Sequence, residues 1–368
     1  MNKNLSKRLH TYFISLVIIL MPLHTQATQG PSLQLCKNIG QMHAPSIVES
    51  KPGELLLAFY GGEKVLNPDN KEITDCKIWL AYFNQEEQSW STPTLIASSQ
   101  EVQQGNPVPC LDPVLCKSPT GTIYLFYKIG TSTENWTGYL KSSADNGATW
   151  SAPRCLASLG AVGPHKSKPL FYTHTDEFMR KMNYLVCPST KASWNFRAGY
   201  AELINYDLTY CCRSNLVEAP DDPHGILQQP VVFHTDSTLH MLFRVRNLPH
   251  IYRSMSYDGG RTWEKPEPVN ELAGSDSSLD VIKLTNGKVL LAYNDITGSK
   301  RYRLVFMLSE GKLCAEWRQI KIIAQSRNQN ASFCYPSIIQ SSDGRVHLVY
   351  VKDYQEICYE IFTQEELI

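Results

Sequence analysis

The sequence predicts an all-β chain folded as a six-bladed β-propeller, and two observations carry that expectation. The first is an octapeptide that occurs twice, Ser143-Ala144-Asp145-Asn146-Gly147-Ala148-Thr149-Trp150 and Ser256-Tyr257-Asp258-Gly259-Gly260-Arg261-Thr262-Trp263, both fitting S-x-D-x-G-x-T-W. The second is a polar turn followed by an apolar strand, repeated with a period in the 50s along the whole chain. A fixed period of that length with several short strands per repeat is how a propeller reads in sequence.

Each element has a local cause. In the octapeptide, Ser and Asp can hydrogen-bond the turn backbone, Gly takes a φ > 0 position, and Thr then Trp resume an extended, half-buried strand. Weaker copies run from Phe83 to Trp90 and from Ser309 to Trp317. The four tryptophans are spaced by 60, 113 and 54 residues, so the middle gap spans two repeats. Strand runs follow turns at Gly53 to Phe59, Gly121 to Phe126, Asp236 to Leu242, Gly287 to Tyr293 and Gly344 to Tyr350, with a sixth at Asn183 to Val186. Six repeats fill the chain, and no long amphipathic helical stretch interrupts them.

The N-terminus reads as an address. Lys3, Lys7 and Arg8 precede the apolar run Tyr12 to Leu23, and Thr25-Gln26-Ala27 offers a small-residue cleavage site. That run is short of the ~20 residues needed to cross a bilayer, which points to export to the periplasm or outside the cell, without stable membrane insertion after cleavage. The expected organisation is a signal peptide over 1–27, a short linker over 28–35 and one propeller over 36–368.

A formal net charge of +0 and a pI near 7.1 exclude the basic footprint of a nucleic-acid binder. Eleven cysteines in 368 residues fall well below the ~8–10% of a disulfide-built scaffold, and most read as buried thiols. No C-x-x-C pair, H-E-x-x-H helix, phosphate loop or G-x-S-x-G elbow is present, so neither a metal nor another cofactor is expected.

The paired octapeptides resemble the Asp-box, or BNR, repeat of the sialidase superfamily, and the resemblance is closest to bacterial sialidase-like BNR-repeat proteins. It implies a glycoside hydrolase acting at the propeller axis on an acidic, sialic- or uronic-acid-containing oligosaccharide or polysaccharide. The family's tyrosine nucleophile matches Tyr335 in Cys334-Tyr335-Pro336-Ser337. A phenol suits attack beside an anionic sugar because a carboxylate nucleophile would be repelled, although the phenol needs a base. The second and third family arginines match Arg244 and Arg303, whose planar guanidinium groups can clamp a carboxylate, with Arg246 and Arg301 as alternates by strand register. The family's acid matches Asp75, with Asp69 competing for that role.

Two positions depart from the family. His43, in Met42-His43-Ala44-Pro45, stands where the first arginine belongs, and Gln229 occupies the segment that carries the activating glutamate. Asn106, Asp112, Lys128, Trp136, Lys166, Lys168, Asp280 and Asn294 lie near inner-strand ends and can line a mixed polar pocket. His43 opens a second chemistry, β-elimination of a uronate with Tyr335 donating a proton to the leaving oxygen, as in propeller-fold polysaccharide lyases. A non-catalytic glycan-binding propeller using Trp136 and Trp194 as sugar platforms is the third.

Overall fold

The computed structural model describes residues 28–34, 39–62, 76–84, 86–176, 178–193, 196–220, 222, 224–311 and 313–367. Their strands form six antiparallel sheets arranged as a β-propeller. Blade 1 is Gln41–Lys51, Glu54–Gly62 and Lys77–Asn84, with Ser89–Trp90 and Thr94–Ala97 both paired to the third strand. Blade 2 is Cys110–Lys117, Ile123–Ile129, Thr137–Ser143 and Arg154–Cys155. Blade 3 is Leu170–Thr175, Lys181–Ser193, Phe196–Asn205 and Cys211–Arg213. Blade 4 is Ile226–Thr235, Thr238–Arg246, His250–Ser256 and Glu267–Ala273. Blade 5 is Asp280–Lys283, Val289–Tyr293, Arg303–Ser309 and Trp317–Gln325. Blade 6 is Phe333–Gln340, Val346–Lys352 and Glu356–Phe362. Its outer edge is completed from the other end of the chain: Thr28–Gln29 and Leu33–Gln34, read from sequence as a linker, pair with Glu356–Phe362.

Second strands lie between the faces of neighbouring blades, and this explains why they read as continuous apolar runs without alternation. Leu55 to Phe59, Leu125 to Tyr127 and Leu290 to Tyr293 are buried throughout, because a sheet covered on both faces has no solvated side. Of the ten described cysteines, seven are buried in this packing.

Both octapeptides form the same hairpin between third and fourth strands, in blades 2 and 4. Ser143 Oγ donates to Asp145 Oδ1 and accepts from Gly147 N; Thr149 N and Oγ1 donate to the two Asp145 oxygens; and Trp150 Nε1 closes on Gly147 O at 3.0 Å. Ser256, Asp258, Gly260, Thr262 and Trp263 repeat every one of these bonds. The glycines must be glycines: φ is +96° at Gly147 and +90° at Gly260, a region costly for side chains. A Cβ at Gly147 would also stand 2.6 Å from Leu56 Cδ1 of blade 1, so each box docks on the preceding blade. Trp263 is buried, whereas Trp150 is half-buried. The weaker copy in blade 5 keeps the indole bond, with Trp317 Nε1 donating to the carbonyl of Cys314, whose φ is +45°.

Burial pushes the Asp258 carboxyl up, but bonds from Thr262, Ser256 and Arg261 outweigh it and hold the group below the usual range. A depressed carboxylate contributes stability that is present above the unfolded value of ~3.9 and lost as pH falls through the lower folded value. Asp258→Asn is therefore expected to melt below the parent at pH 7, with the gap closing as pH drops below about 4. Thermal melts across that range check it; a gap that widens in acid would contradict the bonding described.

Candidate functional site

The inner strands share one irregularity that builds the site. In blades 1, 2, 4 and 6 the ladder to the second strand slips at His43/Ser46, Leu111/Val114, Gln228/Val231 and Cys334/Ser337. The two skipped residues are always X-Pro: Ala44-Pro45, Asp112-Pro113, Gln229-Pro230 and Tyr335-Pro336. Proline has no N–H to donate, so it is accommodated where the ladder is broken. The residue before it is turned to positive φ, at +43°, +47°, +42° and +54° respectively, which re-aims its side chain. Lys166, with φ +62°, precedes the inner strand of blade 3 and reaches across to blades 1 and 6, its Nζ 3.3 Å from Pro45 O and 3.1 Å from Pro336 O.

Tyr335 holds the blade 6 position of this ring. Arg301 lies over its ring, Cζ 5.4 Å from the centroid, and the His43 ring meets it edge-on at 6.3 Å. His43 itself stacks on Tyr60 at 4.9 Å and leans against Tyr354 at 4.7 Å, while Arg301 Nη1 donates to the Tyr354 hydroxyl at 2.8 Å. Burial raises the Tyr335 phenol, Arg301 and then Arg244 pull it down, and Cys334 and Asp112 oppose them, for a net rise. The phenol is therefore protonated in the resting protein.

Arg244 sits in a second cluster. Its Nε donates to Asp276 Oδ1 at 2.8 Å and its Nη1 to Gln229 Oε1 at 2.7 Å. Arg246 takes the other Asp276 oxygen at 2.7 Å, and Arg197 joins through Gln228, whose amide also reaches Asp276. Burial raises the Asp276 carboxyl, but the two bonded arginines outweigh that and keep it ionised.

Asp112 is buried, its Oδ2 without a hydrogen-bond partner among the described residues. Burial lifts its carboxyl above the ordinary range, against the pull of Lys128, Lys166 and Arg244. Lys128 is fully buried, and that burial lowers its amine to about 8 despite Asp112, Glu202 and Cys187. Lys166 is likewise lowered to about 8, chiefly by burial.

The other expected site residues lie elsewhere. Lys168 pairs with Asp280, which also accepts from Ile338 N at 2.8 Å, and Lys168 reaches Ser337 Oγ. Ser337 Oγ accepts in turn from Ile47 N, and Ser46 Oγ from Leu115 N at 2.9 Å, so this layer straps neighbouring blades together below Tyr335. Beneath it, at the opposite mouth of the axis, opens a cavity of about 580 Å³ lined by Val48, Cys116, Phe171, Val232, Ile282 and Ile339, one residue from each blade. Arg303 faces away from Tyr335's contacts, paired with Asp295 at 3.1 Å and bonded to Gln319, so its register alternate Arg301 is the arginine at the tyrosine. Asn294 is buried and ties blade 5 to blade 6 by donating to Arg303 O and Phe333 O. Asn106 is exposed, and Trp136 packs edge-on against His165. Asp75, Asp69 and Trp194 lie outside the described residues.

Sequence reasoning missed Arg197 and Asp276, which carry no local motif. It also passed over Tyr60 and Tyr354 beside His43. The four X-Pro pairs at one position of the repeat were the available signal for the ring.

Residues 53–348 match the BNR repeat-like domain family. None of the curated proteins matches. Among solved structures, an unknown-function protein of Dyadobacter fermentans aligns at a TM-score of 0.64 and 16% identity over 91% of this chain and 98% of its own. The intramolecular trans-sialidase of Ruminococcus gnavus aligns at 0.65 and 14% over 92% and 98%. The K499G mutant of NanB sialidase from Streptococcus pneumoniae aligns at 0.66 and 9% over 92% and 71%. At such identities the likeness is one of fold, a sialidase-type propeller. With the family match spanning most of its length and both octapeptides folded as Asp-box hairpins, the chain belongs to the BNR repeat-like domain family.

Proposed function

We propose that this protein is a glycoside hydrolase acting on an acidic glycan, with Tyr335 as nucleophile and Arg244 and Arg301 meeting the sugar carboxylate. The supporting observation is the placement of Tyr335 on a bulge beneath Arg301, beside His43, and within the field of Arg244. Arg244 has Nε and Nη1 committed to Asp276 and Gln229, so Nη2 is the edge that would meet a ligand carboxylate. Arg303 would act at most on an outer part of a longer glycan. Asp75, in the family's acid position, would protonate the leaving oxygen. With His43 in place of an arginine and Gln229 in place of the glutamate, a sugar other than sialic acid is as good a candidate as sialic acid.

The contact between His43 and Tyr335 supports a second reading, β-elimination, in which His43 removes the proton next to a uronate carboxylate. One product assay on mixed acidic glycans separates the readings. Hydrolysis releases a free sugar, and elimination leaves an unsaturated uronate absorbing in the ultraviolet. Binding with neither product would leave a lectin-like propeller. His43→Ala is expected to abolish elimination but only weaken hydrolysis.

The basic and apolar N-terminal residues support export with cleavage near Ala27, and none of the described residues forms a helix long and apolar enough to cross a membrane. The mass of the mature protein recovered from periplasm or medium tests this; an intact Met1 would overturn it.

A further inference from the structure

We propose that Asp112 is the base that takes the Tyr335 proton as the phenol oxygen attacks, a role that rests on the reading of Tyr335 as nucleophile. Register supplies the first support. Asp112 and Tyr335 hold the same position of the same X-Pro bulge in blades 2 and 6, and the blade between them contributes there only the small side chain of Ala44. Second, Asp112 Oδ2 is buried with no hydrogen-bond partner among the described residues, an acceptor left open at the ring. Third, the glutamine at the remaining bulge of the ring, Gln229, cannot serve. Its amide oxygen is engaged by Arg244 and Ser278, and an amide does not carry a proton at neutral pH.

The step balances. The Tyr335 oxygen bonds to the anomeric carbon, its proton passes to the Asp112 carboxylate, and the bond to the leaving oxygen breaks as the acid protonates that oxygen. Water then attacks the anomeric carbon, giving its proton to the conjugate base of the acid. The departing phenolate recovers its proton from Asp112. Burial raises the Asp112 carboxyl and favours its taking up a proton, while Lys128, Lys166 and Arg244 face it and favour the carboxylate.

Tyrosine labelled with 13C at Cζ, with the Tyr335 signal assigned through Tyr335→Phe, reads the coupling without substrate. His43, Arg301, Cys334 and Tyr354 also face Tyr335, so histidine titration must be separated. The Tyr335 signal is expected to step with pH above the ~3.9 of a free aspartate. That step should persist in His43→Gln and vanish in Asp112→Asn, a variant that keeps the side chain's shape and its tolerance of positive φ. On 4-methylumbelliferyl N-acetylneuraminide or 4-methylumbelliferyl glucuronide, Asp112→Asn should lower kcat at least ~100-fold and remove the acid limb of the pH profile. A step retained in Asp112→Asn, or turnover within about threefold of the parent, overturns the assignment. A step that vanishes as expected in a protein that hydrolyses no acidic glycoside instead overturns the hydrolase reading, and the base role with it, while leaving the Asp112–Tyr335 coupling measured.

Discussion

Tyr335→Phe is expected to lower turnover by ~10²-fold or more while leaving the fold intact. The substitution removes one oxygen. The ring remains between the His43 edge and the Arg301 guanidinium, and the X-Pro bulge that presents it is set by the backbone. Hydrolysis and elimination would both use that oxygen, as nucleophile in the one and as proton donor in the other, so the loss should fall on kcat in either case. Steady-state kinetics on an acidic aryl glycoside or a uronate polymer, with thermal melting as a control on folding, gives the answer. A variant that keeps kcat and loses only affinity would place Tyr335 in binding alone.

The largest effect on stability is expected from Trp263→Ala. This indole is buried in the core that blades 3, 4 and 5 share, a cluster that includes Val186, Leu203 and Leu239. Its Nε1 holds the box turn through Gly260 O, and its backbone exchanges bonds with the Asn215 side chain in the connection from blade 3. Removing a buried tryptophan costs ~3–5 kcal/mol. Trp150 makes the same turn bond from a half-buried site, so Trp150→Ala should cost clearly less. Chemical denaturation of the two variants side by side tests the ranking. Equal losses would mean that the turn bond, rather than burial, carries the energy.

The architecture was legible because propeller periodicity is written locally. Ser, Asp, Gly, Thr and Trp at fixed offsets specify a hairpin without reference to the rest of the chain, and turn-plus-apolar-strand segments mark the second strand of each blade. The site was legible only in part. Tyr335 and His43 do meet, yet the choice between Arg301 and Arg303 turns on strand register, since adjacent residues face opposite sides and no local signal sets the phase. Lys168 and Asp280 were expected to line the pocket because they sit at inner-strand ends. They pair with each other and line the lower cavity rather than meeting Tyr335. Asp276, in the run Gly274-Ser275-Asp276-Ser277-Ser278, reads as an ordinary turn residue. Its importance comes from Arg244 and Arg246, more than 25 positions upstream in sequence but bonded to it in space.

The strap of Lys168, Asp280, Ser337 and Ser46 has a kinetic consequence. It bonds inner strands of neighbouring blades together at the level of the lower cavity, which would put a floor beneath a sugar held at Tyr335. A sugar at Tyr335 would then enter and leave by the rim above it. Product and incoming substrate would then contend for a single opening, and the released sugar should inhibit competitively, raising KM without lowering the maximal rate.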